Sequence, residues 1–317
     1  MSSGFFDFND IRHKCEADPR GFIAECDHVL NGRLTRAAAA IATGQAQRPV
    51  VLLAGPSGSG KTTTAHKLAE ELEWIGVGAR VVSMDNYFLT VDKDTHPRDA
   101  KGEIDYESPD CLDIPLLSRH FDALTAGEEV NVPYFDFTVQ SRDMARAKPL
   151  RLKSGEVAIF EGIHALNPLL LGGCPQTKCR VYVSARANVR DGSALMYKGT
   201  WIRLTRRIIR DAKFRGWDGG TTMKVWANVR RGEKKHISPY KGSADITIDT
   251  ALAYEIPVLR DFALDLFQNV PADAERYGEL SQIAPLLEQF PSLPSDLVSK
   301  RALIREFIGQ ENAAETD

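Results

Sequence analysis

The chain has 317 residues, of which 43% are hydrophobic and 26% charged, a composition typical of soluble globular proteins. This length fits one enlarged domain or two domains. A formal net charge of -3 argues against a general nucleic-acid-binding surface, so we expect a small-molecule partner and no nucleic acid. The first residues carry neither the basic nor the apolar part of a signal peptide, and no apolar run is long enough to span a bilayer. We therefore expect a cytoplasmic protein without a membrane partner.

The five cysteines are scattered along the chain, at Cys15, Cys26, Cys111, Cys174 and Cys179. The closest pair has four residues between its members, whereas zinc and redox motifs usually have two. We predict free thiols in a reducing compartment.

Hydrophobic periodicity predicts first a helix over residues 22–43 and then strands that alternate with helices. The predicted strands are "PVVLLAG", "ARVVSMD", "EVAIFEG", "CRVYVSA" and "ADITID". A helix follows the first strand, with Ala65, Leu68, Leu72 and Ile75 on one face, and helical periodicity returns over residues 262–309. This alternation predicts an α/β fold, a parallel sheet flanked by helices that binds ligands at the carboxyl ends of its strands.

The segment "AGPSGSGKTTTA", residues 54–65, satisfies the pattern G-x-x-x-x-G-K-[ST] directly after a predicted strand. In such a loop, backbone N–H groups converge on phosphate oxygens, Lys61 adds a positive charge, and Thr62 offers a hydroxyl to Mg²⁺. A glycine-rich turn that binds nothing is the alternative, and the preceding strand argues against it. The predicted nucleotide-binding residues are Gly55, Pro56, Ser57, Gly58, Ser59, Gly60, Lys61, Thr62 and Thr63.

Two carboxylates follow predicted strands, Asp85 after "RVVSM" and Glu161 after "EVAIF". At the ends of parallel strands they would face the same crevice as the phosphate loop. There they would hold Mg²⁺ or accept the proton of an attacking hydroxyl. The alternative for each residue is a helix cap or a solvated charge.

Four arginines, Arg203, Arg206, Arg207 and Arg210, follow the i, i+3, i+4, i+7 rule and would share one helix face. Their mutual repulsion favours a polyphosphate opposite them. The alternative is a basic face that is ion-paired to acidic neighbours.

The segment "VNVPYFDFTVQSRD", residues 130–143, mixes aromatic and polar residues. Tyr134, Phe135 and Phe137 would stack on a planar ligand, beside the hydrogen-bonding residues Asp136, Gln140 and Arg142. On its own the segment is more typical of a half-buried strand with a core stripe.

These pieces, in this order, resemble the phosphoribulokinase and uridine kinase family of phosphate-loop kinases. The resemblance runs from about residue 49 to residue 250 and rests on "GPSGSGKTT", "SMDNYF", "IDYESPDCLD", "PYFDFTVQSR", "FEGIHALNP", "RLTRRIIRDAKFRG" and "ADITID". It implies the P-loop kinase fold, with ATP and Mg²⁺ as cofactors and a homo-oligomeric assembly.

A closer likeness, to a bacterial nucleoside kinase group often fused to a TGS and threonyl-tRNA synthetase-like segment, rests on "VRRGEKKHISPYKGSADITIDTALAYEIPVLR" and "ALIREFIG". Residues 1–47 are too few for that added segment. We predict a helical N-terminal extension over residues 1–47, a nucleoside kinase-like domain over residues 48–262 and a helical C-terminal extension over residues 263–317.

The resemblance implies a role for each matching residue. Asp85 would accept or orient the acceptor hydroxyl, and Thr62, Asp85 and Glu161 would hold Mg²⁺. The catalytic set would be Asp85 and Lys61 with Arg206, Arg207 and Arg210 on the phosphates. The acceptor would contact Asp85, Tyr87, Asp105, Tyr106, Glu107, Phe135, Phe137, Gln140, Arg142 and Arg203, with Glu107 or its rival Asp105 on a ribose.

The base pocket departs from the pattern of pyrimidine-selective uridine kinases, which resemble this chain but carry Tyr in place of Phe135 and His in place of Gln140. Phe135 forms no side-chain hydrogen bond, whereas Gln140 both donates and accepts. Pyrimidine specificity is therefore open, and a purine or another nucleoside is an alternative.

We expect a Mg²⁺-dependent enzyme that transfers the γ-phosphate of ATP to a sugar hydroxyl, with the 5′-hydroxyl of a nucleoside favoured. One alternative is a kinase of the same fold that acts on pantothenate, glycerate or a sugar phosphate, and GTP is an alternative donor. Another alternative is a nucleotide-binding switch, although the sequence contains neither N-K-x-D nor L-S-G-G-Q.

Overall fold

The structure of the protein, a computed structural model, describes residues 4–99, 102–171 and 175–310. The strands are β1 (Phe5–Asp7), β2 (Val50–Ala54), β3 (Ala79–Ser83), β4 (Val130–Asp136), β5 (Ser141–Leu150), β6 (Val157–Glu161), β7 (Lys178–Ser184), β8 (Asn188–Asp191), β9 (Ala194–Tyr197) and β10 (Ile246–Asp249). The helices are α1 (Phe8–Ala17), α2 (Pro19–Gly44), α3 (Lys61–Trp74), α4 (Ile114–Thr125), α5 (Gly199–Arg215), α6 (Gly219–Gly232), α7 (Glu255–Gln268), α8 (Tyr277–Leu287) and α9 (Arg305–Ile308).

The central sheet has five parallel strands in the order β10, β7, β2, β6, β3. All five were predicted as strands, and the predicted α/β fold with a parallel sheet is confirmed. Because the strands are parallel, their carboxyl ends meet at one edge. That edge carries the segment after β2 that holds the phosphate loop, the turn with Asp85 after β3, and Glu161 at the end of β6.

Helices cover both faces of the sheet, and the alternation of side chains along β2 shows why. Val51 and Leu53 contribute to one hydrophobic cluster, which also contains buried residues of α2 and α3. Val50 and Leu52 contribute to a second cluster, on the opposite face, with α4. Side chains alternate between the faces of a strand, so a continuous apolar run such as "VVLLA" indicates a strand buried on both faces.

The predicted apolar face of α3 is correct for three of its four residues. Ala65, Leu68 and Leu72 are fully buried, whereas Ile75 lies beyond the helix end and is 45% exposed. The helix ends at Trp74, before Gly76, which adopts a positive φ of 84°. A left-handed residue here ends the helix and turns the chain toward β3.

The predicted terminal extensions share the core of the sheet. Residues of α1, α2, α7 and α8 belong to the same hydrophobic cluster as β2 and α3. The predicted boundary at residue 262 falls inside α7, which runs from Glu255 to Gln268. Residues 1–3 and 311–317 of the two predicted extensions lie outside the described residues. The division into a domain and two extensions stays a prediction.

Two smaller sheets flank the central one. Strands β1, β8 and β9 form one of them, and β4 pairs antiparallel with β5 to form a hairpin. The hairpin contains the aromatic segment at residues 130–143, in agreement with the strand interpretation of that segment.

The thiols of Cys15, Cys26, Cys111 and Cys179 are free, as predicted, and Cys174 lies outside the described residues. Across the described ranges, no helix combines the length and the apolar content required to cross a bilayer. The cytoplasmic location and the homo-oligomeric state stay predictions.

If α2 is integral to the core, Leu34→Ala should lower the free energy of unfolding by about 2–5 kcal/mol, because Leu34 is 1% exposed and the change leaves a cavity. Val29→Ala on the same helix removes an exposed side chain and should change the free energy by only about 0.5 kcal/mol. Urea denaturation followed by circular dichroism measures both. Equal effects of the two substitutions would show that α2 is not part of the cooperative unit.

Candidate active site

The phosphate loop connects β2 to the N-terminus of α3. At two of its positions the backbone has a conformation that only glycine adopts readily. Gly58 and Gly60 have positive φ angles of 74° and 79°, with Ser59 between them. Alternation of this kind turns successive backbone N–H groups toward one point and forms an anion-binding nest. At Gly55 there is no room for a side chain, because a Cβ atom there would lie 2.3 Å from the carbonyl oxygen of Val183.

The carbonyl oxygens of three successive loop residues are hydrogen-bonded to side chains from later parts of the chain. The contacts are Arg203 Nε to Ser57 (3.0 Å), Arg206 Nη1 to Gly58 (3.2 Å) and Thr250 Oγ1 to Ser59 (2.7 Å). Two of the donors belong to α5, and the third follows β10. The conformation of the loop is therefore stabilised by hydrogen bonds to its carbonyl oxygens.

In two of the four predicted arginines every side-chain nitrogen is hydrogen-bonded to a protein group, in place of the predicted contact with ligand. Both terminal nitrogens of Arg203 bind Glu233, at 2.9 and 2.7 Å. Arg206 is fully buried, and its three nitrogens donate to the Glu255 carboxylate (2.6 Å) and to two backbone carbonyls. For these two arginines the alternative of ion pairing to acidic neighbours holds. The sequence reasoning missed both glutamates, because each lies in a distant segment.

The other two predicted arginines form a cluster with Arg215 around one buried carboxylate. Arg207, Arg210 and Arg215 all contact Asp211, at 3.1, 2.8 and 3.3 Å. Arg207 also donates to the Ser57 hydroxyl, at 2.7 Å. Burial lowers the pKa values of Arg207 and Arg215. Three cations around one anion give this cluster a local positive charge, which Glu107 and Asp85 balance in part. Such a cluster beside the loop suits a polyphosphate.

The predicted carboxylates at the strand ends come together with the loop. The Thr62 hydroxyl donates to Glu161 Oε1, at 3.2 Å. Burial raises the pKa of Glu161, the Lys61 charge opposes this shift, and the Asp85 charge adds to it. Asp85 is accessible to solvent, but protein atoms surround its carboxyl group closely. This partial desolvation raises the pKa of Asp85, and the charges of Lys61 and Arg215 oppose the shift. The structure therefore brings Lys61, Thr62, Asp85 and Glu161 into one charged group.

This group fits the requirements of Mg²⁺. Its members supply a hydroxyl and carboxylate oxygens, which are the donors that Mg²⁺ prefers. The two carboxylates repel each other, and a cation between them would remove that repulsion. In the described part of the chain, no group of three or more His, Cys, Asp or Glu residues is arranged to hold a metal. Mg²⁺ usually binds only one or two carboxylates, together with water and substrate phosphates.

Glu107 joins the same group from the segment before α4. Glu107 packs closely against α6 at Gly232. A Cβ atom added to Gly232 would lie only 2.3 Å from the Cβ atom of Glu107. Burial raises the pKa of Glu107, and the charges of Arg207 and Lys61 oppose the shift. The Glu107 backbone N–H donates to Asp105 Oδ1, at 3.1 Å. Both rival candidates for the acceptor-binding carboxylate thus lie side by side.

A cleft of about 730 Å³ opens beside Glu107 and is strongly acidic. Tyr106, which is 45% exposed, lies in its wall. Within the described residues, its charged lining consists of the acids Glu103, Asp105, Glu107, Asp218, Asp273 and Glu275 and one base, Lys224.

His164 is a site residue that the sequence reasoning missed, although it lies in the quoted segment "FEGIHALNP". Its ring is buried near the backbone of Glu107 and His236. Burial, together with the charges of His236 and Lys61, lowers the pKa of His164 to about 3. The ring is therefore neutral at physiological pH, and it packs as an uncharged, buried group beside the backbone of Glu107.

Tyr87 is placed in the core, which corrects its predicted contact with the acceptor. Its side chain is fully buried, and its hydroxyl shares a hydrogen bond of 2.9 Å with His120 Nδ1. The short helical turn over residues 84–87 directs this ring toward β6 and α4. Arg142 is likewise engaged by protein, because it donates to Asp113 at 2.7 Å.

The aromatic hairpin lies beside the turn that carries Asp85. The Phe135 N–H donates to the Asn86 side chain at 3.4 Å, and Phe135 packs between Phe88 and Phe137. Phe135 is buried, Phe137 is 61% exposed, and Gln140 is exposed at the hairpin tip with a φ of 53°. The exposed part of this aromatic group is therefore the Phe137 ring, beside the turn that carries Asp85.

A nest after a central parallel strand, with carboxylates at the neighbouring strand ends and an arginine helix beside it, is the arrangement of a phosphate-loop nucleotide-binding protein. The sequence profile described as "Phosphoribulokinase / Uridine kinase family" matches residues 50–256. The chain belongs to this family and is an enzyme of the kinase class.

Among its relatives, a uridine kinase from Deinococcus deserti is 31% identical over 207 residues, which cover 65% of this chain and 89% of the relative. A uridine kinase from Halobacterium salinarum is 28% identical over 197 residues, 62% of this chain and 77% of the relative. A solved structure of a possible uridine kinase from Bacillus stearothermophilus has 18% identity and a TM-score of 0.45, and the match covers 69% of this chain and 99% of that one.

Arg206→Met should lower the free energy of unfolding by about 3–5 kcal/mol, because it leaves the Glu255 carboxylate buried without its partner. Adding Glu255→Gln should recover part of this loss. Arg80→Met removes a cation paired at the surface and should change the free energy by no more than about 1 kcal/mol. Urea denaturation at pH 7 measures all four proteins. If the double variant is as unstable as Arg206→Met, the lost stability does not come from the unpaired carboxylate.

Asp85→Asn should raise the Tm of the nucleotide-free protein, and by more at pH 8 than at pH 5. A carboxyl group with a raised pKa in the folded state is protonated more readily there than in the unfolded chain. Its ionisation therefore destabilises the fold, from the unfolded pKa near 3.9 upward and fully above the raised folded pKa. The amide does not ionise, so it removes this effect.

Thermal denaturation at the two pH values checks this expectation, with Asp265→Asn on the exposed face of α7 as the control. A gain in Tm for Asp85→Asn that is equal at both pH values, or a loss, would contradict it.

Proposed function

We propose that the protein is an ATP- and Mg²⁺-dependent kinase that transfers the γ-phosphate to the 5′-hydroxyl of a nucleoside. The donor side of this proposal is supported by the loop nest and by the excess charge of Arg207, Arg210 and Arg215. Phosphoryl transfer is accelerated mainly by positioning and by such charges, which stabilise the equatorial oxygens of the transferred group.

Thr62, Glu161 and Asp85 would hold Mg²⁺, which would neutralise charge on the β- and γ-phosphates. Lys61 adds a fixed cation to the same group. Arg203 and Arg206 act indirectly in this proposal, since they fix the carbonyl side of the loop.

Asp85 is the group proposed to orient the acceptor hydroxyl and to accept its proton. It is exposed to solvent in the turn after β3, and it interacts electrostatically with Lys61. A raised pKa makes this carboxylate a better proton acceptor than an ordinary aspartate at neutral pH.

The acidic cleft beside Glu107 is the observation that carries the choice of acceptor. Its lining holds six carboxylates and one lysine. Pantothenate, glycerate and sugar phosphates are anions, and like charges brought together cost several kcal/mol. A neutral nucleoside avoids this repulsion, and its ribose diol can donate hydrogen bonds to Glu107 or Asp105. The relatives named uridine kinase support the same class of acceptor.

The choice of base rests on the hairpin. Phe135 is buried among aromatic rings and has no polar group, and Gln140 is exposed at the tip. The neighbouring Phe137 ring is 61% exposed and can stack on a planar ring, and Phe135 behind it does not penalise a wrong base by an unpaired polar group. We therefore propose a tolerant base pocket that accepts purine as well as pyrimidine nucleosides.

Release of ADP from ATP and Mg²⁺ should be stimulated by nucleosides and not by pantothenate, glycerate or ribulose 5-phosphate. Asp85→Asn should lower stimulated turnover by at least about a hundredfold, since the carboxylate acts on the acceptor, while ADP should still bind in the absence of Mg²⁺. A coupled assay and calorimetry measure the two quantities. GTP in place of ATP tests the donor.

Glu107→Gln serves as the matched variant on the acceptor side. It should raise the KM for the nucleoside more than it changes kcat, because it weakens a binding contact. Stimulation by an anionic alcohol alone would overturn the proposed acceptor. ADP release that no acceptor stimulates would favour a nucleotide-binding switch.

A further inference from the structure

The C-terminal segment Ala302–Gly309 packs directly against the phosphate loop and the first turn of α3. A Cβ atom on Gly60 would lie 3.0 Å from Leu303 Cδ2, and the Phe307 ring lies 5.0 Å from the guanidinium of Arg206. Leu303 and Phe307 are buried. This segment therefore forms part of the surroundings of the nucleotide site.

Within this segment, Glu306 binds the residue where the donor phosphates are expected. Its Oε2 atom accepts a hydrogen bond of 2.6 Å from the Thr63 hydroxyl and one of 3.4 Å from the Thr63 backbone N–H. Thr63 occupies the first turn of α3, where the N–H groups have no partner within the helix. A carboxylate thus occupies a position at which the helix attracts anions.

The backbone around Glu306 is fixed, so the side chain is the part that can move. Arg305 donates to the carbonyl oxygens of Ser295, Val298 and Gly309, at 2.6, 2.6 and 3.1 Å. Glu306 is only half-buried, whereas the residues on both sides of it are buried. A rotation of its side chain would free Thr63 while the segment stays in place.

We propose that the Glu306 carboxylate is an internal competitor for the phosphate position at Thr63, and that the phosphates of the donor nucleotide displace it. This inference rests on the proposed binding of a nucleotide at the loop but not on the identity of the acceptor. Because the segment is fixed, the carboxylate remains within reach of Thr63 at a high effective concentration. It therefore weakens the binding of the donor and of the product alike.

The test is the affinity of Glu306→Gln for ADP and for inorganic tripolyphosphate, measured by calorimetry without Mg²⁺. The amide keeps the shape of the side chain but lacks the negative charge. Loss of a charge-assisted hydrogen bond that competes with the ligand should tighten both affinities about tenfold. Tripolyphosphate has no base or ribose, so it reports on the phosphate position alone.

Glu288→Gln is the matched control, since it removes the same charge from an exposed C-terminal side chain and should leave both affinities unchanged. Glu306→Asp keeps the charge on a side chain that is one methylene shorter. It should tighten the affinities for ADP and tripolyphosphate by less than Glu306→Gln does. It also provides a second test if the glutamine variant folds poorly.

Unchanged or weaker binding by Glu306→Gln would overturn the inference, because the carboxylate would then cap α3 or contact the nucleotide. Tighter binding of ADP without tighter binding of tripolyphosphate would also overturn it, since the effect would lie at the base or ribose. If wild-type protein binds neither probe, the proposed nucleotide site itself fails, and the competition fails with it.

Discussion

The conformation of the phosphate loop depends on hydrogen bonds to its carbonyl groups. A loop whose N–H groups converge on an anion must turn its carbonyl oxygens elsewhere, and buried carbonyls require donors. Arg203, Arg206 and Thr250 supply those donors for three successive residues. Two of the donors are charged and buried, so Glu233 and Glu255 must balance them. The helix that covers the loop, the loop itself and α7 therefore form one interdependent unit.

Charge is divided across the site in a way that suits phosphoryl transfer to a neutral acceptor. Arg207, Arg210 and Arg215 place excess positive charge on the phosphate side. Asp85 and Glu107 lie on the proposed acceptor side, and Glu107 also lines the acidic cleft. An anionic donor is attracted to the first side and an anionic acceptor is repelled from the second.

The loop is also contacted by segments far away in sequence, and these contacts have opposite effects. The arginines of α5 stabilise the shape that binds phosphate, whereas Glu306 places a carboxylate on Thr63. The binding free energy of the nucleotide therefore has two opposing contributions. The preorganised loop makes binding more favourable, and the displacement of the Glu306 carboxylate makes it less favourable. Weak donor binding also favours release of the product, which limits the turnover of many enzymes.

The sequence by itself determined the five strands of the sheet, the loop and its glycines, and the carboxylates at the strand ends, because apolar runs and left-handed turns are local properties. It did not determine which of four arginines on one helix are free to meet a ligand, since folding brings Glu233 and Glu255 to two of them from distant segments. The same holds for Tyr87, whose ring points into the core, and for Glu306, which lies 243 residues from Thr63 in sequence. Partners of buried charges are decided by tertiary packing, because only packing removes the water that would otherwise solvate them.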